Sequence, residues 1–487
     1  MIIKLTLKPR MFPLLAFLAP LAVRVVPEIL MGPYIVGFDP VGYYIPYVLT
    51  WLRDGVDWFF IAEAPLFYVI LMQLASLGAP LTLSLKIIPP ILHGFLALAI
   101  YFYASKALAW SYRKSLFVAL LATLYFVALR ISWDLLRNEF GLTLLFITMI
   151  KLQKDDGRWK HYVLLSLAMA FVVLVHPLVA VIMFVVIATT IIRMLHENRY
   201  SDIKRLIMTS VPALLLFLLI VYANYVISEG RFSALSHFPA KKSEGPLALF
   251  GFDSYQDMVV DTLGFLFFCY LPLLLPAVMG AGQVKNLQIN SWFIWSLIAI
   301  ISPIISPDAF IRGGYRWTLM LTYPLAFYAI GGVARFKFGV RQLIIALVLI
   351  VLTFGFVLMP YERSFPYYSL FPYYVPSSML QNTVPLRDCQ DTINVLQYFK
   401  SNMHVDARLL THTSFYGWAL LVLEKDQIIH YGFQDPEKAA QKAIHGNNQV
   451  YLIWWTDGNG WYGQPSVPDS FKEVYKSGEI AIYAYRA

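Results

Sequence analysis

Acidic and basic residues that could carry chemistry gather near the predicted ends of apolar segments. An acidic side chain can deprotonate a hydroxyl nucleophile. Lys and Arg can hold a phosphate and stabilise its charge as it leaves. A carboxylate nearby also favours an oxocarbenium-like sugar transition state. The candidates are Arg24, Glu28, Asp39, Glu63, Lys86, Asp134, Arg137, Glu139, His176, Arg312 and Arg316.

Each of these residues also has a purely structural interpretation. Asp39 lies in a Gly/Pro-flanked turn, where Asp is a frequent turn former. Arg24 and Glu28 have the i, i+4 spacing of a helix-surface ion pair. Arg137 and Glu139 could simply mark a membrane interface. Their placement on one predicted side of the membrane favours a shared functional site.

The elements that position these residues are membrane helices, as the composition indicates. Of the 487 residues, 59% are hydrophobic and 14% are charged, and the mean hydropathy is +0.62. Soluble domains are about 45–50% apolar and about 25% charged. This excludes an ordinary cytosolic enzyme, a disordered protein and a nucleic-acid-binding protein. We assign the net charge of +9 to cytoplasmic loops. The two cysteines, Cys269 and Cys389, are not expected to form a disulfide.

Eleven segments are apolar enough to be predicted as transmembrane helices, which need about 20 residues each. The fold class predicted is therefore a polytopic α-helical membrane protein. The segments are approximately residues 11–31, 81–107, 115–130, 140–152, 161–175, 177–195, 206–227, 263–281, 291–305, 317–334 and 341–359.

A shorter apolar segment, residues 65–77, decides the orientation. If it does not cross the membrane, about twice as many Lys and Arg fall inside as outside, which follows the positive-inside rule. We therefore predict that it lies along the outer interface. The N-terminus is then cytoplasmic, and the long loop 32–80, which is rich in Tyr, Trp and Phe, is outside.

The composition changes after residue 360. We predict a module of membrane helices over 1–360, a Pro/Tyr-rich linker over 361–386 and an extracytoplasmic α/β domain over 387–487. Alternating apolar residues predict strands near 408–413, 427–431, 449–455 and 480–485. Short helices are predicted near 391–399, 415–423 and 436–444.

The order of motifs resembles the GT-C superfamily of polytopic membrane glycosyltransferases, best its protein mannosyltransferase and aminoarabinose transferase branch. The resemblance covers about residues 11–359 and is strongest in the first 150. It rests on the early Asp39 of the first loop, Pro65-Leu66-Phe67-Tyr68, Lys86-Ile87-Ile88-Pro89-Pro90, Arg137-Asn138-Glu139, and Tyr315-Arg316 with Tyr323-Pro324.

This resemblance implies an inverting glycosyltransferase. It would move a sugar from a polyprenyl-phosphate-linked donor, embedded among the membrane lipids, to an extracytoplasmic acceptor. The acceptor could be a protein, a lipid or a glycan. Asp39 would be the catalytic base and Glu139 a second acid, while Lys86, Arg312 and Arg316 would bind the donor phosphate. Supporting roles would fall to Arg24, Glu28, Glu63, Arg137 and His176.

Two departures from the family pattern weaken the case for a metal cofactor. Pro40 follows Asp39, where many members have an Asp-Glu pair, and Asp134 has no acidic partner two residues later. A divalent metal is possible but not indicated. The alternatives are an oligosaccharyltransferase-like enzyme, a lipid or sugar transporter, and a scaffold that has lost catalysis. A transporter is disfavoured because the charges gather at one face rather than at the bilayer midplane.

Overall fold

The chain forms a bundle of helices followed by a small mixed sheet. The computed structural model describes residues 8–153, 158–235, 255–305, 314–333, 340–364, 375–432, 434–444, 449–456 and 467–486. The bundle lies before residue 360, and the sheet lies after residue 400.

Sixteen α-helices form the described part of the bundle, with two π-helical turns at Pro40–Tyr44 and Tyr103–Ala107. The helices are α1 (Met11–Leu30), α2 (Ile45–Asp54), α3 (Trp58–Ala62), α4 (Leu66–Ser76), α5 (Leu81–Phe102), α6 (Tyr112–Leu124), α7 (Phe126–Asp134), α8 (Leu136–Gln153), α9 (Trp159–Val175), α10 (Pro177–His196), α11 (Tyr200–Leu235), α12 (Tyr255–Ala281), α13 (Leu287–Ile305), α14 (Gly314–Met320), α15 (Thr322–Val333) and α16 (Val340–Leu358).

Every predicted transmembrane segment coincides with a helix or a pair of helices. Within the described residues, five helices are long and apolar enough to cross a membrane: Met11–Leu30, Leu81–Ala107, Pro177–His196, Tyr200–Val226 and Tyr255–Ala281. The pair α6 and α7, bent by 60°, makes a sixth span if it is counted as one. Other helices are shorter, such as the 17-residue α9, or carry several charges, as α8 does. The number eleven therefore stays a prediction.

The first loop, between α1 and α5, folds into short helices packed through aromatic rings. Trp51 contacts Phe60 and Tyr68 edge-to-face, with ring centroids 4.9 and 5.1 Å apart. Helix α4, within the predicted interfacial segment, has 11 residues. At 1.5 Å per residue it extends about 16 Å, roughly half of the hydrocarbon core. Its location at the interface stays a prediction.

The C-terminal part contains three helices and a five-stranded sheet. The helices are α17 (Leu386–Asn402), α18 (Thr413–Val422) and α19 (Pro436–Ala443). The strands are β1 (Arg408–Thr411), β2 (Ile428–His430), β3 (Val450–Trp455), β4 (Phe471–Ser477) and β5 (Ile480–Tyr485), in the order β2-β1-β3-β5-β4. Strands β2, β1 and β3 are parallel, and β5 and β4 are antiparallel to their neighbours. All six residues of β3 are buried, as expected of a central strand.

A buried segment, residues 375–385, joins the sheet to the bundle, and we call it the strap. It falls inside the predicted linker 361–386. The carbonyl oxygen of Gln381 accepts hydrogen bonds from the Gly37 amide (3.0 Å) and from Trp133 Nε1 (3.1 Å). Asn382 Nδ2 donates to the carbonyl oxygen of Ile35 at 2.9 Å. The strap therefore fixes the start of the first loop against α7.

Candidate functional site

The turn that carries Asp39 is shaped by a close approach of two backbones. Gly37 has a φ of +96°, and a Cβ at this position would lie 2.0 Å from the carbonyl oxygen of Trp133. Only glycine fits such a conformation at such a distance. Pro40 then begins the π-helical turn Pro40–Tyr44. The Asp39 side chain is half-buried.

Asp39 lies among basic side chains contributed by distant parts of the chain. Its carboxylate is within electrostatic reach of Arg316 on α14, Arg130 on α7 and Arg137 on α8, and of the acidic Glu63. Burial raises the pKa of the Asp39 carboxyl above its ordinary value, and the three Arg residues partly offset that rise. A raised pKa makes Asp39 a better proton acceptor than an exposed Asp.

Arg137 is held in place by the first loop. Its Nη1 lies 2.5 Å from Glu63 Oε2 and 3.2 Å from the Tyr68 hydroxyl. Its Nη2 also donates to the Glu63 carbonyl oxygen. At the other side, Nε donates to the carbonyl oxygen of Val175 at 3.4 Å. The guanidinium thus ties α8 to the first loop and to the end of α9.

Helix α7 supplies a second ion pair next to Asp39. Arg130 and Asp134 lie one turn apart and form a buried salt bridge. The Tyr44 hydroxyl donates to the Asp134 carbonyl oxygen at 3.2 Å. Arg130 and Tyr44 were not among the predicted site residues, although the i, i+4 spacing of Arg130 and Asp134 is visible in the sequence.

His176 caps the N-terminus of α10 and faces the same cluster. Its Nδ1 accepts a hydrogen bond from the Leu178 amide at 3.2 Å. Burial lowers the pKa of His176 well below its ordinary value, and the charges of Arg137 and Arg316 lower it further. His176 is therefore neutral at physiological pH and does not add to the positive charge of the site.

A neighbouring cluster contains Arg24, Glu28 and Lys86. Arg24 Nη1 lies 2.8 Å from Glu28 Oε1, and Arg24 Nε donates to Ser132 Oγ at 3.1 Å. Lys86 Nζ donates to the carbonyl oxygens of Tyr34 (2.7 Å) and Glu28 (2.9 Å), and lies 3.4 Å from Glu28 Oε2. These three contacts use all three protons of the ammonium group. Lys86 would have to leave them to bind a phosphate.

The described side-chain hydrogen bond of Glu139 goes to a residue of neither cluster. Its Oε1 is 2.5 Å from Nδ1 of His93 on α5, and both side chains are completely buried. No sequence pattern singled out His93, which lies in the middle of an apolar segment.

The structure thus divides the predicted site residues. Asp39, Glu63, Arg137, His176 and Arg316 form one cluster, which we call the Asp39 cluster. Arg24, Glu28 and Lys86 form a second, joined to the first through α7. Glu139 pairs with His93. Arg312 lies outside the described residues. Within the described part of the chain, no group of three or more His, Cys, Asp or Glu residues could hold a metal ion.

Comparisons by sequence and by structure give different results. No family model matches the sequence, and no curated protein matches it either. Solved structures that share the fold include three glycosyltransferases. The arabinofuranosyltransferase AftD from Mycobacteria has a TM-score of 0.55 at 12% identity, with 99% of this chain aligned. This chain spans only 40% of AftD.

The other two structures are closer in length. ArnT from Cupriavidus metallidurans, in the apo state, has a TM-score of 0.56 at 12% identity over 98% of both chains. The oligosaccharyltransferase AglB from Archaeoglobus fulgidus, in complex with an inhibitory peptide and a dolichol-phosphate, has a TM-score of 0.51 at 11% identity. The match covers 92% of this chain and 70% of AglB. These neighbours are GT-C glycosyltransferases, and the chain has the fold of that superfamily.

Proposed function

We propose that the protein is an inverting membrane glycosyltransferase that takes its sugar from a polyprenyl-phosphate-linked donor. The observation that carries this proposal is the position of Asp39 within electrostatic reach of Arg316, Arg130 and Arg137. A carboxylate beside several guanidinium groups combines a proton acceptor with a binding site for a phosphate.

In the proposed reaction, Asp39 accepts the proton of an acceptor hydroxyl as its oxygen attacks the anomeric carbon. The new bond joins that carbon to the acceptor oxygen. The bond to the phosphate oxygen breaks, and the polyprenyl phosphate leaves with the electron pair. Arg316 stabilises the negative charge that develops on the phosphate, and attack from the opposite face inverts the configuration.

The other predicted roles fit this reaction to different degrees. Arg312 remains a proposed phosphate ligand, four residues before Arg316. Arg137 is bound to Glu63 and orders the cluster. Lys86 is bound to Glu28 and Tyr34, so its proposed contact with the phosphate requires a rearrangement on donor binding.

The setting of the reaction is also part of the proposal. The carrier lipid would reach the site from the bilayer of the cell membrane, with the N-terminus in the cytoplasm and the C-terminal domain outside. AglB was solved with a dolichol-phosphate, which supports a lipid phosphate as the carrier. The sugar could be a pentose or a hexose, and the acceptor a protein, a lipid or a glycan.

The test is sugar transfer by the purified protein in liposomes that contain polyprenyl-phosphate-linked pentose or hexose. Asp39→Asn keeps the shape of the side chain and removes the base, so transfer should fall about 10²–10⁴-fold. Asp54→Asn is the matched control in the same loop: Asp54 is exposed and forms an ion pair with the exposed Lys425, and such pairs contribute little. Transfer at the parent rate by folded Asp39→Asn would refute the assignment.

A divalent metal would point to the oligosaccharyltransferase-like alternative. We expect transfer to continue after the protein has been treated with EDTA. Loss of transfer on chelation, restored by Mn²⁺ or Mg²⁺, would contradict a mechanism in which Asp39 and arginines suffice.

A further inference from the structure

The buried pair His93 and Glu139 has no part in the proposed transfer reaction. Nδ1 of His93 and Oε1 of Glu139 are 2.5 Å apart, and the two residues connect α5 to α8. Ionisable side chains buried among membrane helices are costly and are candidates for a functional role.

The carboxyl group of Glu139 depends on His93 for hydrogen bonding. Its second oxygen, Oε2, has no hydrogen-bond partner among the described residues. The Tyr323 hydroxyl, close enough to interact electrostatically with Glu139, also has no such partner. The contact with His93 is therefore the one described side-chain hydrogen bond to this carboxyl group. Removing the imidazole would leave the carboxylate buried and unpaired.

Glu139 and Arg137 belong to the same first turn of α8 but face different neighbours. Arg137 points to Glu63 and Tyr68 in the first loop, beside Asp39. Glu139 points to α5. The first turn of α8 is therefore held from two sides, and the two attachments fix its rotation and its height together.

We propose that His93 is a positioning residue, which acts through Glu139 to fix the first turn of α8 and hence the place of Arg137 beside Asp39. Glu139 then acts as the link to α5 and does not touch the substrate. The proposal rests on the proposed function, because the geometry that it protects is that of the Asp39 cluster.

The test compares variants that keep or remove the hydrogen bond. His93→Leu removes it, whereas His93→Gln retains an amide that can bond to Glu139. Thr143→Val is the control for a lost buried hydroxyl on α8: Thr143 donates to the backbone carbonyl oxygen of Glu139 at 3.0 Å, and this bond does not involve the side chain of Glu139 or of His93. Each variant is reconstituted in nanodiscs and checked for folding by thermal unfolding.

Two readouts are measured on each variant. Small displacements in a site can cost about 10²-fold in rate. We therefore expect kcat of His93→Leu to fall about 10–100-fold with the KM for the lipid-linked donor nearly unchanged, and His93→Gln to recover most of the loss. Hydrogen exchange should accelerate over residues 136–141 and 63–68 in His93→Leu, but not in His93→Gln or Thr143→Val.

The two readouts separate this proposal from the proposed function. Unchanged exchange over residues 136–141 in folded His93→Leu would overturn the positioning role, whatever the activity. Accelerated exchange with an unchanged kcat would overturn it too, and Asp39→Asn would still report on the transfer reaction. If His93→Leu does not fold, Glu139→Gln is measured instead. It keeps the shape of the side chain, and its kcat should fall by less than the roughly 10–100-fold decrease expected for His93→Leu.

Discussion

The α-carbon of Gly37 packs directly against the carbonyl oxygen of Trp133, so that an added Cβ would lie only 2.0 Å from that oxygen. This contact joins the turn that carries Asp39 to the helix that carries Arg130 and Asp134. The position of the Asp39 turn relative to α7 is therefore set by a contact between backbone atoms.

Gly37→Ala should disrupt this contact. A left-handed φ and a clash with backbone together should cost about 3 kcal/mol or more of unfolding free energy. Transfer by any folded fraction should fall, because Asp39 moves. The control is Gly32→Ala, also at positive φ but with nothing within 4 Å of the added Cβ; it should cost about 1 kcal/mol. Thermal unfolding of the two variants tests this prediction, and an equal decrease in stability for Gly37→Ala and Gly32→Ala would contradict it.

Asp39→Asn should leave stability unchanged or raise it at neutral pH. The pKa of Asp39 is raised in the folded protein, so the folded state binds a proton that the unfolded state releases. The stability of the parent therefore falls as pH rises from the ordinary carboxyl pKa through the raised value, and is constant above it. Asp39→Asn has no ionisable group at this position, so its stability does not fall with pH for this reason.

The same shift predicts the pH dependence of activity. Transfer needs the ionised carboxylate, so the rate of the parent should decrease as pH falls through the raised pKa of Asp39. Unfolding temperatures and transfer rates measured across a pH series should show opposite trends. A marked destabilisation of Asp39→Asn at neutral pH would show that the charge stabilises the fold instead.

Lys86→Met should destabilise the protein by about 1–3 kcal/mol, since it removes hydrogen bonds to two carbonyl oxygens and leaves Glu28 with one fewer cation. Lys106→Met serves as the control near the other end of α5: Lys106 is exposed and lies over the Phe102 ring at 4.4 Å. Equal unfolding temperatures for both variants would argue against this structural role. A raised KM for the donor in folded Lys86→Met would support the proposed phosphate contact as well.

The C-terminal part that contains the sheet should lose stability in mild acid through His412. This side chain caps α18 and is 1% exposed, and burial lowers its pKa to about 3. The stability that neutral His412 contributes is fully present above its ordinary pKa of about 6.5. It is lost as pH falls towards the pKa of His412 in the folded protein. At about pH 4.5, two pH units below the ordinary pKa, the loss should reach about 3 kcal/mol.

His412→Asn provides the comparison, because Asn also caps helices well and does not titrate. Hydrogen exchange of α18 should accelerate between neutral and acid pH in the parent, and less so in the variant. The same acid response in both proteins would assign the effect to another group, such as His430.

Much of the helical framework could be predicted from the sequence because long apolar segments are a strong signal. The strands β1, β2, β3 and β5 also followed from apolar alternation. Strand β4, with the sequence Phe471-Lys-Glu-Val-Tyr-Lys-Ser477, was missed: it is one of the two edge strands, and most of its side chains are exposed, so it lacks a clear apolar face.

The site was harder to predict because charge alone does not reveal partners. Asp39, Arg137 and Arg316 were recognised as candidates, and the structure brings them together. Lys86 and Glu139 were equally plausible candidates by charge. In the structure, however, Lys86 donates to the carbonyl oxygens of Tyr34 and Glu28, and Glu139 is hydrogen-bonded to His93. Which neighbour a side chain meets depends on helix rotation, and the sequence does not specify it.

The strap has a consequence for how the protein is made. The carbonyl oxygen of Gln381 accepts hydrogen bonds from both Gly37 and Trp133. The turn that carries Asp39 therefore gains these contacts only after a segment more than 300 residues later in the chain has been synthesised. During biogenesis the early helices can enter the bilayer while the loop is still without its partner. We expect a nascent chain that stops before the strap to be inserted into the membrane but inactive in sugar transfer, and activity to appear only once the strap has been synthesised.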